Sequence, residues 1–188
     1  MFKLRNLITA VAMTALAGPA FSGEALSEFD VAEDLSRFVY AEAPRHDDSM
    51  PAFGNPFVTQ GYIYPAGTLD GGVEGTLPDG SPAWPELVLG TWTCDGYFVG
   101  QGGHTTTGNM VITRQVFEFK DGSILVTQGP ELADVDVPIN RPITGATGDY
   151  LNVGSVMEQT LLGMTDGYGV RLQFEIAPDS EHAALSVD

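Results

Sequence analysis

The chain has one cysteine, Cys94, three histidines and only eight basic residues among its 188. A single cysteine cannot form an internal disulfide, so packing and hydrogen bonding must hold the fold. His46, His104 and His182 stand apart in the sequence, without the paired spacing of a zinc site, and no metal site is expected. His46-Asp47-Asp48 reads as a solvated turn. Against the eight basic residues stand 25 acidic ones, for a net charge of −17. Such a chain repels nucleic acid and anionic membrane surfaces; it would attract a cationic ligand specifically only through a local acidic pocket, which composition does not reveal. No apolar run reaches the roughly 20 residues that a membrane-spanning helix needs.

The first 22 residues belong to a different problem from the fold. Lys3 and Arg5 precede an apolar stretch over Leu7–Ala17, and Gly18-Pro19 breaks it before Ala20-Phe21-Ser22. This is the pattern of a secretory signal peptide cleaved near Ser22, and it predicts an exported protein, periplasmic or secreted, with no membrane span in the mature form. Residues 23–55 form an acidic leader. Within it Leu26, Phe29, Leu35, Phe38 and Val39 roughly suit one helical face, so the leader is expected to be partly helical or mobile, with Pro44 ending the helix.

From residue 56 to 178 the pattern becomes that of strands, and residues 179–188 read as a tail. Phe57–Tyr64 is rich in aromatic and β-branched residues, and Leu69–Pro85 is a glycine- and proline-rich excursion expected to be a long surface loop. Strands are predicted over Thr91–Val99, Met110–Phe119, Ser123–Gln128, Asn140–Thr144, Ser155–Leu162 and Val170–Ile176, with Lys120-Asp121-Gly122-Ser123 as a tight hairpin. Alternation selects the inward faces: Val170, Leu172, Phe174 and Ile176; Val111, Thr113, Gln115, Phe117 and Phe119; Trp92, Cys94 and Phe98. In each case the charged alternates belong outside, because an unpaired buried charge is costly.

These segments resemble a known family. The order of a strand, Asp121-Gly122-Ser123, a second strand ending Val126-Thr127-Gln128-Gly129-Pro130, an acidic connector and then Ile143-Thr144-Gly145-Ala146-Thr147-Gly148-Asp149-Tyr150 is similar to the allene oxide cyclase barrel family. That family is related in fold to the plant dirigent proteins. Gly90-Thr91-Trp92-Thr93-Cys94 upstream and Gln159-Thr160-Leu161-Leu162-Gly163 downstream extend the likeness. Gly145-Ala146 stands where the family has two glycines, and alanine takes positive φ only at a cost, so this element reads as a variant turn. The resemblance implies an all-β, calycin-like, eight-stranded antiparallel barrel, assembly into trimers, a largely apolar cavity, and a cofactor-independent cyclase or isomerase that guides reactive hydrophobic molecules by shape.

Candidate polar groups are few. Glu131 and Arg141 could meet as an ion pair near a barrel mouth, either to anchor or protonate a ligand or as a structural bridge. Glu158 alternates with Val156, Thr160 and Leu162, and if inward it would be an acid with a raised pKa. Gln60, Tyr62, Tyr64, Trp92, Cys94, Gln115, Phe117 and Gln128 are the candidate cavity residues. Three readings remain open: an exported barrel that binds a small hydrophobic, oxygenated molecule and steers its cyclisation or coupling; a non-catalytic carrier of lipocalin type; and a structural module with a filled interior.

Overall fold

The computed structural model describes residues 25–177. The expected signal peptide, 1–22, and the tail, 179–188, lie outside the described residues. Eight strands follow one another around a closed barrel: β1 (Glu28–Tyr40), β2 (Pro56–Pro65), β3 (Gly90–Phe98), β4 (Asn109–Phe119), β5 (Ile124–Leu132), β6 (Ile139–Ala146), β7 (Val156–Thr165) and β8 (Gly169–Ile176). Every neighbouring pair is antiparallel, and β1 closes the ring on β8 with Glu28 opposite Glu175 and Ala32 opposite Arg171. Closure removes the exposed sheet edges that would otherwise recruit other strands.

The inward faces of β3, β4 and β8 agree with the alternation in the sequence: Trp92, Cys94, Phe98, Val111, Thr113, Gln115, Phe117, Phe119, Leu172, Phe174 and Ile176 are all buried. The 120–123 step is a hairpin, closed by Phe119 N–H donating to Ser123 O at 2.9 Å and by Ser123 N–H donating to the Asp121 carboxylate at 2.7 Å. One end of the barrel is filled by aromatic rings. Phe29, Phe117, Phe119 and Phe174 meet with centroids 4.9–5.6 Å apart, mostly edge to face, and Tyr150 stacks on Phe119 at 4.7 Å. Such pairs add to the ~1.5–3 kcal/mol each ring contributes by leaving water.

The acidic leader departs from its expected form. Glu28–Tyr40 is the first barrel strand, not a helix, so the barrel begins well before residue 56. The helical spacing misleads because both faces of this strand are covered: every residue from Phe29 to Asp34 is buried, and a strand hidden on both sides carries no one-sided alternation. Its inner cover is the barrel core. Its outer cover is the excursion after β2, which is not a loose loop. Leu69, Trp84 and Val88 pack with Ala32, Tyr62, Tyr64 and Leu162 into a second, smaller core on the outside of the barrel wall. Leu69 N–H donates to Asp30 Oδ2 at 2.9 Å, and Arg171 pairs with Glu74 beneath this strap, which is why Arg171, expected in water, is buried.

Two further local points bear on the site. Gly61 on β2 lies so close to β1 that a Cβ there would fall 2.2 Å from Ala32 O; only glycine permits this approach, after which β1 shifts register between Asp34 and Val39. The segment joining β1 to β2 is pinned by buried Asn55, whose Nδ2 donates to Ala41 O at 3.0 Å and Pro44 O at 2.7 Å while its Oδ1 accepts from Ala41 N–H at 3.0 Å. The variant Gly145-Ala146 element is strand, not turn, paired with Val126 and Leu125.

Candidate functional site

The aromatic plug occupies only half of the barrel. At the opposite end a cavity of about 280 Å³ opens between the last residues of β1, β3 and β5 and the first of β2, β4 and β8. Phe38, Tyr40, Phe57, Trp92, Phe98 and Val111 form most of its wall, and Glu33, Thr59, Cys94 and Glu131 supply polar atoms at depth. Met50 and Pro51 from the β1–β2 segment, Gly103 from the β3–β4 connection and Asp166 from the β7–β8 hairpin complete the rim. Gly103 N–H donates to Pro51 O at 2.7 Å, so the two rim segments are joined. His46 and His104, distant in sequence, meet there with ring centroids 4.6 Å apart, and His104 Nε2 lies 3.0 Å from Asp48 Oδ2.

Glu131 sits between the cavity and a buried polar network. Its Oε1 accepts from the Thr113 hydroxyl, from Gln115 Nε2 at 2.9 Å and from the Cys94 thiol at 3.6 Å, while Oε2 accepts from Gln159 Nε2 at 3.0 Å. Gln115 Nε2 also donates to Gln159 Oε1 at 3.0 Å, fixing both amides. Arg141 lies behind this layer, fully buried, with Nη1 3.8 Å from Glu131 Oε1. Its guanidinium is occupied: Nε donates to Thr127 Oγ1 at 3.3 Å, Nη1 to Gly129 O at 3.2 Å and Pro130 O at 2.8 Å, and Nη2 to Thr113 O at 3.3 Å and Oγ1 at 2.9 Å. The Gln128-Gly129-Pro130 element therefore has a physical role, since its carbonyls turn inward to receive the arginine. Burial draws the guanidinium down from its ordinary pKa, and Glu131 opposes that.

A second carboxylate shares the cavity. Glu33, on β1, accepts from the Thr59 hydroxyl at 2.6 Å and from Val170 N–H at 2.9 Å. Gly169 leaves it room, because a Cβ there would lie 2.3 Å from Glu33 Oε2, and its φ of +97° is one that glycine tolerates best. Burial pushes the Glu33 carboxyl up from its ordinary value; the hydrogen bonds from Thr59 and Val170 oppose the rise, and the charges of Glu131 and Asp34 add to it. The Cys94 thiol is pushed well up by burial and by the neighbouring Glu131, which leaves it unreactive as a nucleophile at neutral pH.

Of the residues singled out in the sequence, Trp92, Cys94 and Glu131 line the cavity. Gln115 and Arg141 stand just behind the wall, and Phe117 belongs to the plug. The others face out. On β2 the inward set is Phe57, Thr59, Gly61 and Ile63, one residue out of register with the expected one. Gln60 accordingly accepts from Arg37 and donates to Thr93 Oγ1, and Tyr62 and Tyr64 donate to Gly80 O and Gly75 O of the outer strap. Gln128 is exposed. Glu158 is on the outer face between Asn140 and Glu175, because Met157, Gln159 and Leu161 take the interior. Glu33, Thr59, Thr127 and Gln159 were not anticipated as site residues. Glu33 shares the inward face of β1 with Phe29 and Val31, a register that shows only once β1 is known to be a strand.

Among the described residues no group of three or more His, Cys, Asp or Glu side chains is placed to hold a metal ion, and no helix is long and apolar enough to cross a membrane. No protein-family model matches the chain, and no curated protein matches it in sequence. Solved structures do match. The pterocarpan synthase dirigent protein PsPTS1 is 15% identical with a TM-score of 0.56, over 79% of this chain and 90% of its own. A second, GePTS1, is 13% identical with a TM-score of 0.53, over 87% and 96%. A pyocyanin demethylase is 12% identical with a TM-score of 0.50, over 80% and 98%. At such identities the likeness is one of architecture: the chain is a closed, eight-stranded antiparallel barrel of the shape these dirigent proteins have.

Proposed function

We propose that this protein binds a small hydrophobic, oxygenated molecule in the open half of its barrel and steers the cyclisation or coupling of that molecule by enclosure, as the likeness to allene oxide cyclases and dirigent proteins implies. The observation that carries the reading is the division of the interior into an aromatic plug and an apolar cavity whose floor presents Glu131, held rigidly by Thr113, Gln115 and Gln159. A barrel built only for structure has no need to leave half its interior open while burying an ion pair beneath it. Apolar walls orient a reactive molecule and exclude water, and a fixed carboxylate can accept a hydrogen bond or proton at one atom of it. The signal-peptide pattern supports a site of action after export, and the family resemblance supports trimeric assembly.

The test is native mass spectrometry of protein purified from its own host. It is followed by titration with phenolics and with fatty-acid-derived epoxides, as free acids and as methyl esters, read by fluorescence of Trp92 against a cavity-filling Val111→Trp variant. We expect a copurifying small molecule and saturable binding that the variant abolishes. Recovery of every bound molecule unchanged would favour a carrier over a cyclase. Absence of both a copurifying molecule and any saturable binding would overturn the cavity reading altogether.

A further inference from the structure

Among the described residues the cavity wall has three carboxylates and no positive group. Glu33, Glu131 and Asp166 line it, and no Lys, Arg or His does. Arg45 lies over the Tyr40 ring at 4.8 Å; Arg141 is behind the wall and fully buried, and all five of its N–H groups already donate within the protein, so it has no donor left for an anionic ligand. Its one charge is set against Glu131, 3.8 Å away, and Glu33 on the same wall is bonded to the Thr59 hydroxyl and the Val170 N–H. Five aromatic residues share the wall with aliphatic side chains and methionines: Phe57 packs against Phe38 at 5.5 Å and Phe98 at 5.1 Å, Tyr40 stands 5.7 Å from Phe38, and Trp92 is the fifth.

We propose that the cavity selects a hydrophobic organic cation, an ammonium or N-heteroaromatic cation carried on a flat apolar body, over neutral and anionic molecules of the same size. This rests on the reading of the cavity as a small-molecule site and names the class of ligand it takes. The geometry suits such a ligand at each point. Glu131 Oε2 accepts only one hydrogen bond within the protein and Glu33 accepts one on each oxygen, so lone pairs remain on both for N–H donors. Ring faces attract a cation through their quadrupoles, most strongly where water is excluded. A carboxylate ligand would meet two buried carboxyl groups on a wall that carries no cation. The overall charge of −17 draws cations toward the mouth. The mutual field of Glu33 and Glu131, which helps to push the Glu33 carboxyl up, is relieved when a cation sits between them.

The test uses three probes of one size, naphthylmethylammonium, naphthylmethanol and naphthoate, titrated calorimetrically into the full-length mature protein. We expect the ammonium to bind at least about tenfold more tightly than the alcohol and the naphthoate not to bind. Glu33→Gln and Glu131→Gln should each erode that preference, and the surface change Glu175→Gln should leave it intact. Should Glu131→Gln not fold, Glu33→Gln and Val111→Trp carry the comparison alone. If the alcohol binds as tightly as the ammonium, the cation proposal is wrong and the small-molecule site stands. A preference that survives Glu33→Gln, or ammonium binding that survives Val111→Trp, comes from the surface field and also overturns it. If none of the three probes binds, the cavity reading falls and the proposal falls with it.

Discussion

Replacing Arg141 with methionine tests whether the buried network is one unit. Methionine keeps an unbranched apolar stem and lacks the charge and the donors. The change removes the counter-charge 3.8 Å from Glu131 and leaves the carbonyls of Gly129, Pro130 and Thr113 without their guanidinium donor. At that separation the lost attraction is about 4 kcal/mol for an effective dielectric constant of about 20. Removing one partner of a buried pair typically costs about 3–5 kcal/mol, because the other charge stays buried and unpaired. For a domain of this size each kcal/mol lowers Tm by roughly 2–4 °C, so a fall of about 6–20 °C is expected. Glu131→Gln should cost less, since Arg141 keeps its bonds to Thr113, Thr127 and the three carbonyls. The double variant should recover at least about 2 kcal/mol relative to Arg141→Met alone, because it no longer buries an unpaired carboxylate. Urea unfolding followed by tryptophan fluorescence measures all four proteins. A coupling energy below about 0.5 kcal/mol would refute the claim that Arg141 is there to hold Glu131.

Two other outcomes follow from the wall of the barrel. Glu33→Gln should stabilise the protein at neutral pH, since glutamine can accept from Val170 N–H and donate to Thr59 Oγ1 without a buried charge. The carboxyl is raised above its ordinary value of 4.5 in the fold, so the folded state holds its proton to higher pH than the unfolded chain does. Its destabilising ionisation therefore acts above the raised pKa and is absent below about 4.5. The Tm difference between variant and wild type should shrink to nothing as pH falls through that window, and a difference independent of pH would contradict the assignment. Gly61→Ala should lower stability by about 1–3 kcal/mol or more, since the new methyl meets the Ala32 carbonyl and not a side chain that could swing away; urea unfolding within ~0.5 kcal/mol of wild type would show that β1 can withdraw.

What could be read from sequence depended on whether a strand had one wet face. On β3 and β4 charges fall on alternate positions, and alternation alone placed Trp92, Cys94, Thr113, Gln115 and Phe117 inward. β8 was read correctly for its inner face, but Arg171 was sent to water because the strap that covers it arrives from residues 66–89, far off in the chain. β1 failed for the same reason in stronger form: covered on both sides and carrying Asp30, Glu33 and Asp34 in buried positions, it has none of the alternation that marks a strand. β2 was assigned as a strand but one residue out of register, because Tyr62 and Tyr64 look like interior residues and in fact face outward and donate to the strap at Gly80 O and Gly75 O. Glu131 and Arg141 were legible as a pair only because both sit at inward positions of short strands. The cavity was not legible at all, since it exists only once eight strands close.

Seven consecutive strands each send at least one polar side chain into the same middle layer of the barrel: Glu33, Thr59, Cys94, Thr113 with Gln115, Thr127 with Glu131, Arg141 and Gln159. On β8 the backbone N–H of Val170 takes that part by donating to Glu33. On one side of the layer lies the aromatic plug, and on the other the open cavity. A polar belt at this depth would be a burden in a barrel packed throughout, because apolar residues of similar size would be at least as stable. Here the plug supplies the stability that lets the mouth half carry a fixed carboxylate and a second one whose pKa burial raises. The interior charge pattern then follows from how Arg141 is used: with its donors turned to the carbonyls of Gly129, Pro130 and Thr113 and to the hydroxyls of Thr113 and Thr127, its positive charge serves the structure, and the charged groups left on the cavity wall among the described residues are carboxylates.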